Sequence, residues 1–375
     1  MYQTVGELIT KAKVEKCGDR ELPILSMTMH DGIMFQGDRF KKQIASVDQS
    51  TYNVVYRNQL VVSFPIDEGV LAVQDITDAG IVSPAYKIWN VDEKKVVPKY
   101  LEAYLRSPHS IQYYKSKLRG TTARRRSITD SDLLEMDIPL PSIEKQRCII
   151  ENIRRVKSLQ DAYNCKMDLL DKLIKARFVE LFDNGNYPKI RLGDACKKIT
   201  DGTHKTPNYI DEGITFISAK NIVNGELDFS DVKHISEEEY QEIQKRCQTE
   251  KNDILLSKSG SLGTPVIVRT EEKIGLFESL AVLKYERDRF LSEFLCEQLK
   301  TDMIQRQFAT GTKGVAIKHL HLGVIADTEI IEPPVKEQKT FADFVKQVDK
   351  SKVAVQKALD ETKLLFDSLM QQYFG

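Results

Sequence analysis

Three groups of side chains in this 375-residue chain have types and spacings that could do chemistry. Glu93, Lys94 and Lys95 form an E-x-K triplet with Asp75 and Asp78 upstream, and metal-dependent nucleases hold their ion on an Asp and a Glu near a Lys. His204 follows "DGT", and His319 lies two residues from His321, so imidazoles are present that could ligate zinc. The third group is "YYKSKLRGTTARRRSIT", Tyr113 to Thr129, with six lysines and arginines and no acid. The chain as a whole balances 55 basic against 55 acidic residues, so this concentration is local. Its "RRRS" suits a kinase site, and a strip of cations suits phosphate groups.

The first two groups lead to little. In a chain that is 29% charged, E-x-K triplets arise often by accident. No Cys or His partner stands at zinc spacing from the histidines, which favours solvated or nucleic-acid-facing loop residues. An adenine-N6 methyltransferase needs an Asn/Asp-Pro-Pro-aromatic loop and a glycine-rich cofactor turn, and "EPPV" at Glu332 lacks both amide and aromatic. Neither a phosphate-binding G-x-x-x-x-G-K-[ST] loop nor an H-E-x-x-H site is present. The sequence therefore predicts no enzyme, no cofactor and no metal. The six cysteines (17, 148, 165, 196, 247 and 296) are scattered without a C-x-x-C pair and read as reduced cytosolic residues. No apolar run approaches the roughly 18–20 residues of a membrane span, and "MYQTVGELITKAK" lacks a signal-peptide core, so the expected location is cytoplasmic.

The elements that must position these residues are written twice. "IPLPSIEKQRCIIENIRRVKSLQDAYNCKMDLLDKLIKARFVELF" and "IIEPPVKEQKTFADFVKQVDKSKVAVQKALDETKLLFDSLMQQYF" align at a constant offset of 192, placing Pro141 on Pro333, Gln146 on Gln338 and Phe182 on Phe374. Each runs about 35 to 40 residues without glycine or proline, with apolar positions alternately four and three apart, a sustained heptad pattern. The seams are Ile149, Ile153, Val156, Gln160, Tyr163, Met167, Leu170, Ile174, Arg177 and Phe341, Val345, Val348, Lys352, Val355, Leu359, Thr362, Phe366, Leu369. Both break at the same rung, Gln160 and Lys352. The seam residues with most to lose are Ile153, Val156, Leu170 and Ile174, opposite Val345, Val348, Leu359 and Phe366. The alternative for such a segment is a long amphipathic helix lying on its own domain.

The globular parts repeat more loosely. "VGEL" at Val5 matches "LGDA" at Leu192, and "YLEAYLRSPHSIQYYKSKLRGTT" matches "FLSEFLCEQLKTDMIQRQFATGT" at an offset of 190. Ala103–Thr129 and Met303–Ala326 are both free of acids, and the second window has no kinase consensus, so the phosphate reading gains. "LVVSFP", "VLAVQDI", "DILLS" and "TPVIVR" are β-branched runs bounded by turn residues. The expected fold is mixed α+β, alternating globular part and long helix: residues 1–140, 141–183, 184–333 and 334–375.

This layout resembles the specificity subunit of type I restriction–modification systems. The residues that carry the resemblance are "PLPSIEKQ" and "EPPVKEQ" at the helix entries, "FISAKNI" with "GTH" before it, the "GTT" and "GTKG" loops, and "ELFD". It implies two target recognition domains with short-stranded sheets, joined by two long antiparallel helices forming a coiled coil. It implies that each domain reads one half of a split, asymmetric double-stranded DNA target. It also implies partners: two methylation subunits docked on the helices, and a restriction/translocase subunit through the complex. A helix of some 38 residues, about 57 Å at 1.5 Å per residue, would act as a ruler between half-sites. "PILSMTMHDGI" in the first half departs from "ITFISAKNI" in the second, which implies that the halves read different sequences. A self-standing DNA-binding or coiled-coil scaffold protein, and a DNA-acting nuclease, stay as alternatives.

Most protein–DNA contacts go to phosphates, and a few side chains read bases. The expected backbone contacts of the first domain are Lys115, Lys117, Arg119, Arg124, Arg125 and Arg126, with Thr121 and Thr122 as hydroxyl donors. In the second domain they are Thr312, Lys313, Lys318 and His319, with Lys220 and Asn221 presented to bases from a strand end. "SKSGSLG", Ser257–Gly263, could offer amides to a phosphate but reads first as a plain hairpin turn.

Overall fold

A computed structural model of the chain describes residues 2–29, 32–39, 49–118, 126–183, 185–311 and 319–375. They form two compact units, Met1–Asn164 with Lys357–Gly375, and Cys165–Gln356. The long helices are Ile143–Phe182 and Val335–Phe374, 40 residues each. Both unit boundaries fall inside those helices, where a division into globular parts and whole helices was expected. The reason is burial, since each globular core takes in the start of one helix and the end of the other. The first core includes Ile149, Ile153, Met370 and Phe374, and the second includes Ile174, Phe178, Phe341 and Val345.

Each unit is built on a four-stranded antiparallel sheet with the same strand order. In the first the order is Ile9–Lys11, Lys87–Val91, Leu60–Val62, Leu71–Val73. In the second it is Cys196–Asp201, Leu280–Tyr285, Ile254–Ser257, Pro265–Ile267. The two-residue period of a strand decides the layers. Leu60, Val62, Leu71, Val73 and Trp89 face the helical side, while Val61, Ala72 and Ile88 face a second, smaller core. In the second unit Ile254, Leu256, Ala281 and Leu283 take the helical side and Leu255, Val266 and Val282 the other. Short helices cover the helical sides, Pro98–Leu105 and Pro108–Lys117 in the first unit, Ser292–Leu299 and Asp302–Gly311 in the second. The smaller cores differ. The first unit has two two-stranded sheets there, and the second has a three-stranded sheet containing a parallel pair, Ile214–Ile217 with Ile274–Leu276.

The duplicated entry motifs do the same work twice. Gln146, fully buried, accepts from the Val97 amide at 2.8 Å and donates to the Pro141 carbonyl at 2.9 Å. Gln338, also fully buried, accepts from Leu291 N at 3.0 Å and donates to the Pro333 and Arg289 carbonyls at 2.8 Å. Each glutamine thus ties a helix start to the loop entering the first short helix of its sheet. Truncating either strands a buried amide, which costs about 1–3 kcal/mol. Gln146→Ala and Gln338→Ala should each lower the denaturation midpoint accordingly. "VGEL" and "LGDA" likewise coincide: a Cβ on Gly6 would lie 3.1 Å from the Leu134 carbonyl oxygen, and one on Gly193 3.2 Å from that of Ala326.

Within each unit the helix segments run antiparallel. In the first, Asn152 donates to the Tyr373 hydroxyl at 3.1 Å, and Gln160 donates to the Thr362 carbonyl at 3.1 Å. In the second, Lys352 pairs with Asp171 at 2.5 Å, and Phe178 meets Phe341 with ring centroids 5.5 Å apart. The seam breaks at Gln160 and Lys352 are therefore polar residues that each find a partner on the facing helix. Ile153, Val156, Ile174, Val345, Val348 and Leu359 are buried, while Leu170 and Phe366 are half-buried.

Candidate nucleic-acid interface

In both units one end of the main sheet gathers the loops that the sequence singled out. In the second unit this end collects Asp201, Ser257 and Leu280, because antiparallel pairing sets Asp201 opposite Ala281 and Ser257 opposite Leu280. The later part of the second acid-free window docks there, with Leu320 N donating to the Lys258 carbonyl at 2.8 Å. In the first unit the corresponding end collects Lys11, Val62 and Lys87. The later part of the first window docks there, with Ile66 N donating to the Arg126 carbonyl at 3.3 Å.

The charges at the two ends are arranged differently. In the first unit Asp130 accepts from Lys11 at 2.8 Å and Lys87 at 2.7 Å. Burial alone would raise the Asp130 carboxyl, but these two hydrogen bonds outweigh it and hold the group below the usual carboxylate range. Arg126 pairs with Asp67 at 2.5 Å and with Glu68. Asp67 is almost fully buried. In the second unit Lys258 and Asp201, 2% and 3% exposed, form a buried ion pair at 2.5 Å. Asp201 also receives Arg246 and lies 3.3 Å from His204 Nε2. Glu278 lies 3.7 Å from Lys258 and 3.6 Å from His319. Burial and the neighbouring Lys258 charge lower the His319 imidazole below its ordinary value.

The expected contact residues separate into three groups. Lys115 and Lys117 are exposed in the last turn of Pro108–Lys117, with Lys117 5.9 Å from the Tyr113 ring centroid, and Lys220 is exposed 3.4 Å from Asp231. Arg119, Thr121, Thr122, Arg124, Arg125, Thr312, Lys313 and Lys318 lie outside the described residues.

Three residues correct the expectation. Arg126 is committed to two carboxylates and fastens the end of its window to the sheet. Asn221 is buried: its Oδ1 accepts from Ser218 N at 3.0 Å, and its Nδ2 donates to the Asp228 and Asp231 carbonyls at 3.2 and 2.9 Å. It shapes its loop from within and is not presented to a base. His319 faces Glu278 at 3.6 Å, and burial beside Lys258 lowers its imidazole, which disfavours a phosphate-facing positive charge there.

"SKSGSLG" is the hairpin connection, with the Gly263 amide on the Ser257 carbonyl at 2.8 Å. Gly263 has φ +76° and would place a Cβ 2.7 Å from Phe308. Asp75 pairs with Lys99, Asp78 with Arg57, and Glu93 accepts from Asn58, so the E-x-K triplet and its upstream acids are held by separate partners. Among the described residues no group of three His, Cys, Asp or Glu could hold a metal ion.

Sequence reading missed the carboxylates that organise both ends, Asp130 and Asp201. The only available signal was the "DGTH" stretch, where Asp201 ends a strand.

Comparisons with known proteins agree with this architecture. Residues 184–362 match the family described as type I restriction modification DNA specificity domain. The chain is 22% identical over 306 residues to the type I restriction enzyme EcoBI specificity subunit of Escherichia coli, covering 71% of this chain and 64% of that protein. It is 20% identical over 260 residues to the MjaVIII specificity subunit of Methanocaldococcus jannaschii, covering 63% and 60%. The matched regions thus span less than two thirds of either relative. Among solved structures, the type I restriction–modification system S subunit from M. genitalium aligns over 100% of this chain and 96% of its own, with a TM-score of 0.56 and 16% identity. A chain from a structural study of type I R-M complex assembly and conformational transition aligns over 100% and 97%, with a TM-score of 0.59 and 17% identity. Residues 184–362 thus match a type I restriction modification DNA specificity domain, and the fold of the whole chain is similar to that of type I restriction–modification S subunits.

Proposed function

We propose that this chain is the non-catalytic DNA-recognition subunit of a cytoplasmic type I restriction–modification complex. Each unit reads one half of a split, asymmetric duplex target through the end of its main sheet. The lengths of the two helices fix the number of unread base pairs between the halves. The observation that carries this reading is the repetition of the sheet end. Twice, in a chain of zero net charge, the later part of an acid-free window docks on the equivalent strand ends. A coiled-coil scaffold accounts for the helices and leaves both windows without a role. The differing smaller cores suit two readers of different sequence.

The helices supply the docking surface for two methylation subunits, through which the restriction/translocase subunit joins. Support comes from apolar side chains that the helix packing leaves outside, among them Leu159, Leu169, Leu173, Val353 and Leu364. In the second unit Leu173, Ala176, Arg177, Glu180 and Phe344 line an open groove of about 580 Å³. Its apolar floor with a charged rim has the composition of a protein–protein contact.

The test is reconstitution. The purified chain alone should transfer no methyl group from S-adenosylmethionine. Adding the separately purified methylation subunit should give methylation at one bipartite sequence. Methyl transfer by the chain alone, or the same methylated sites without the chain, would overturn the proposal.

A further inference from the structure

We infer that Arg246 is a DNA-contacting cation of the second unit and that the buried carboxylate of Asp201 is the residue that positions it. This rests on the DNA-reading function proposed above and names a cation that the basic windows do not contain. Arg246 closes the helix Glu237–Arg246, and its side chain is 53% exposed. It stands at the same sheet end as the later part of the second window, because its partner Asp201 is the last residue of the strand Cys196–Asp201.

The geometry separates holding from presenting. Asp201 Oδ2 takes the Lys258 ammonium, and its Oδ1 takes Arg246 Nη2. The same Nη2 lies 3.2 Å from His204 Nε2. Among the described residues Arg246 Nε and Nη1 have no partner, so part of the planar fork stays available. Burial would raise the Asp201 carboxyl, but the hydrogen bonds from Lys258 and Arg246 outweigh that and keep it ionised. A guanidinium already fixed by a buried anion loses less freedom on binding than a free one, and an arginine so held suits a phosphate or the guanine edge. Lys198 donates to the Arg246 carbonyl at 2.7 Å, and His204, which lies against Arg246 Nη2, is exposed. Of the nearby acids, Glu278 faces Lys258 and His319, and Glu242 on the helix of Arg246 pairs with Lys245.

A buried lysine–carboxylate pair is poorly explained by stability alone, since apolar residues of similar volume often serve as well. Here the pair places an ionised carboxylate under a half-exposed arginine. That is a positioning role.

The experiment uses the complex assembled with its methylation subunit. A pool of random-sequence duplexes is selected on the wild-type complex, and the enriched sequence serves as the probe. Arg246→Gln should weaken binding to that probe roughly tenfold to a hundredfold and lower the log–log salt slope by about 0.9. Repeating the selection on this variant should relax bases of one half-site only. Arg246→Lys should keep the slope and lose part of the base preference.

The double variant Asp201→Asn, Lys258→Met leaves no unpaired buried charge. It should keep the slope, because Arg246 stays charged, while discrimination within that half-site falls. A purely structural defect would instead lower the thermal midpoint and weaken all duplexes alike. Wild-type affinity and slope in Arg246→Gln would overturn the DNA contact, and wild-type discrimination in the double variant would overturn the positioning role. If the wild-type complex enriches no sequence at all, the DNA-reading function itself fails. That outcome is distinct from a specific complex in which Arg246 is silent.

Discussion

Replacing Lys115, Lys117, Arg124 and Arg125 together with alanine should weaken duplex binding by the assembled complex more than a hundredfold at physiological salt. The slope of log K against log salt should fall by about 3.6, from about 0.9 for each phosphate no longer neutralised. Lys115 and Lys117 are exposed at the end of their helix, and the two arginines belong to the same acid-free window. Arg126→Ala should behave differently. Removing its guanidinium leaves Asp67 buried without its cation, which costs about 1–3 kcal/mol of stability. The midpoint of unfolding should drop while the salt slope stays. A binding titration across salt, paired with thermal denaturation, checks both. Equal slopes for the quadruple variant and wild type would return the window to ordinary solvated surface.

Phe341→Ala should be the most destabilising single change on the helices, by about 3–5 kcal/mol. Phe341 is fully buried, and its ring centroid lies 5.5 Å from that of Phe178, 5.7 Å from Phe182 and 6.3 Å from Phe294. The substitution would empty the centre of an aromatic cluster that joins both helices to the second unit's core. Packed interiors relax only partly around such a void. Val353→Ala on the same helix is the control, since Val353 is 70% exposed and surface changes usually stay within about 0.5 kcal/mol. Denaturant unfolding followed by far-UV circular dichroism reads the difference, because the chain's single tryptophan, Trp89, belongs to the other unit. Similar midpoints for the two variants would show that the aromatic cluster does not hold this unit.

Repetition and periodicity are properties of the chain read along its length. Alternating four-and-three spacing is a property of one helix face, so both 40-residue helices could be read directly, down to their shared polar rung. The entry prolines and the paired glutamines could be matched by offset alone, and in the structure Gln146 and Gln338 make equivalent hydrogen bonds. The acid-free windows were legible for the same reason, since composition along a chain needs no fold.

Which charged groups meet depends on how the elements pack. Arg126 finds Asp67 across 59 residues, and Lys258 finds Asp201 across 57, because antiparallel pairing brings the ends of strands that are distant in sequence to one place. No local pattern encodes that meeting. Asn221 shows the same limit from the other side. Its residue type and its place at a strand end suited a base reader, but three hydrogen bonds inside its own loop bury it. Periodicity is set by the geometry of a single element, whereas the partner of a side chain is set by how elements pack. The unit boundaries follow that second rule: they cut both helices because each core needs one helix start and one helix end to exclude water from its apolar face.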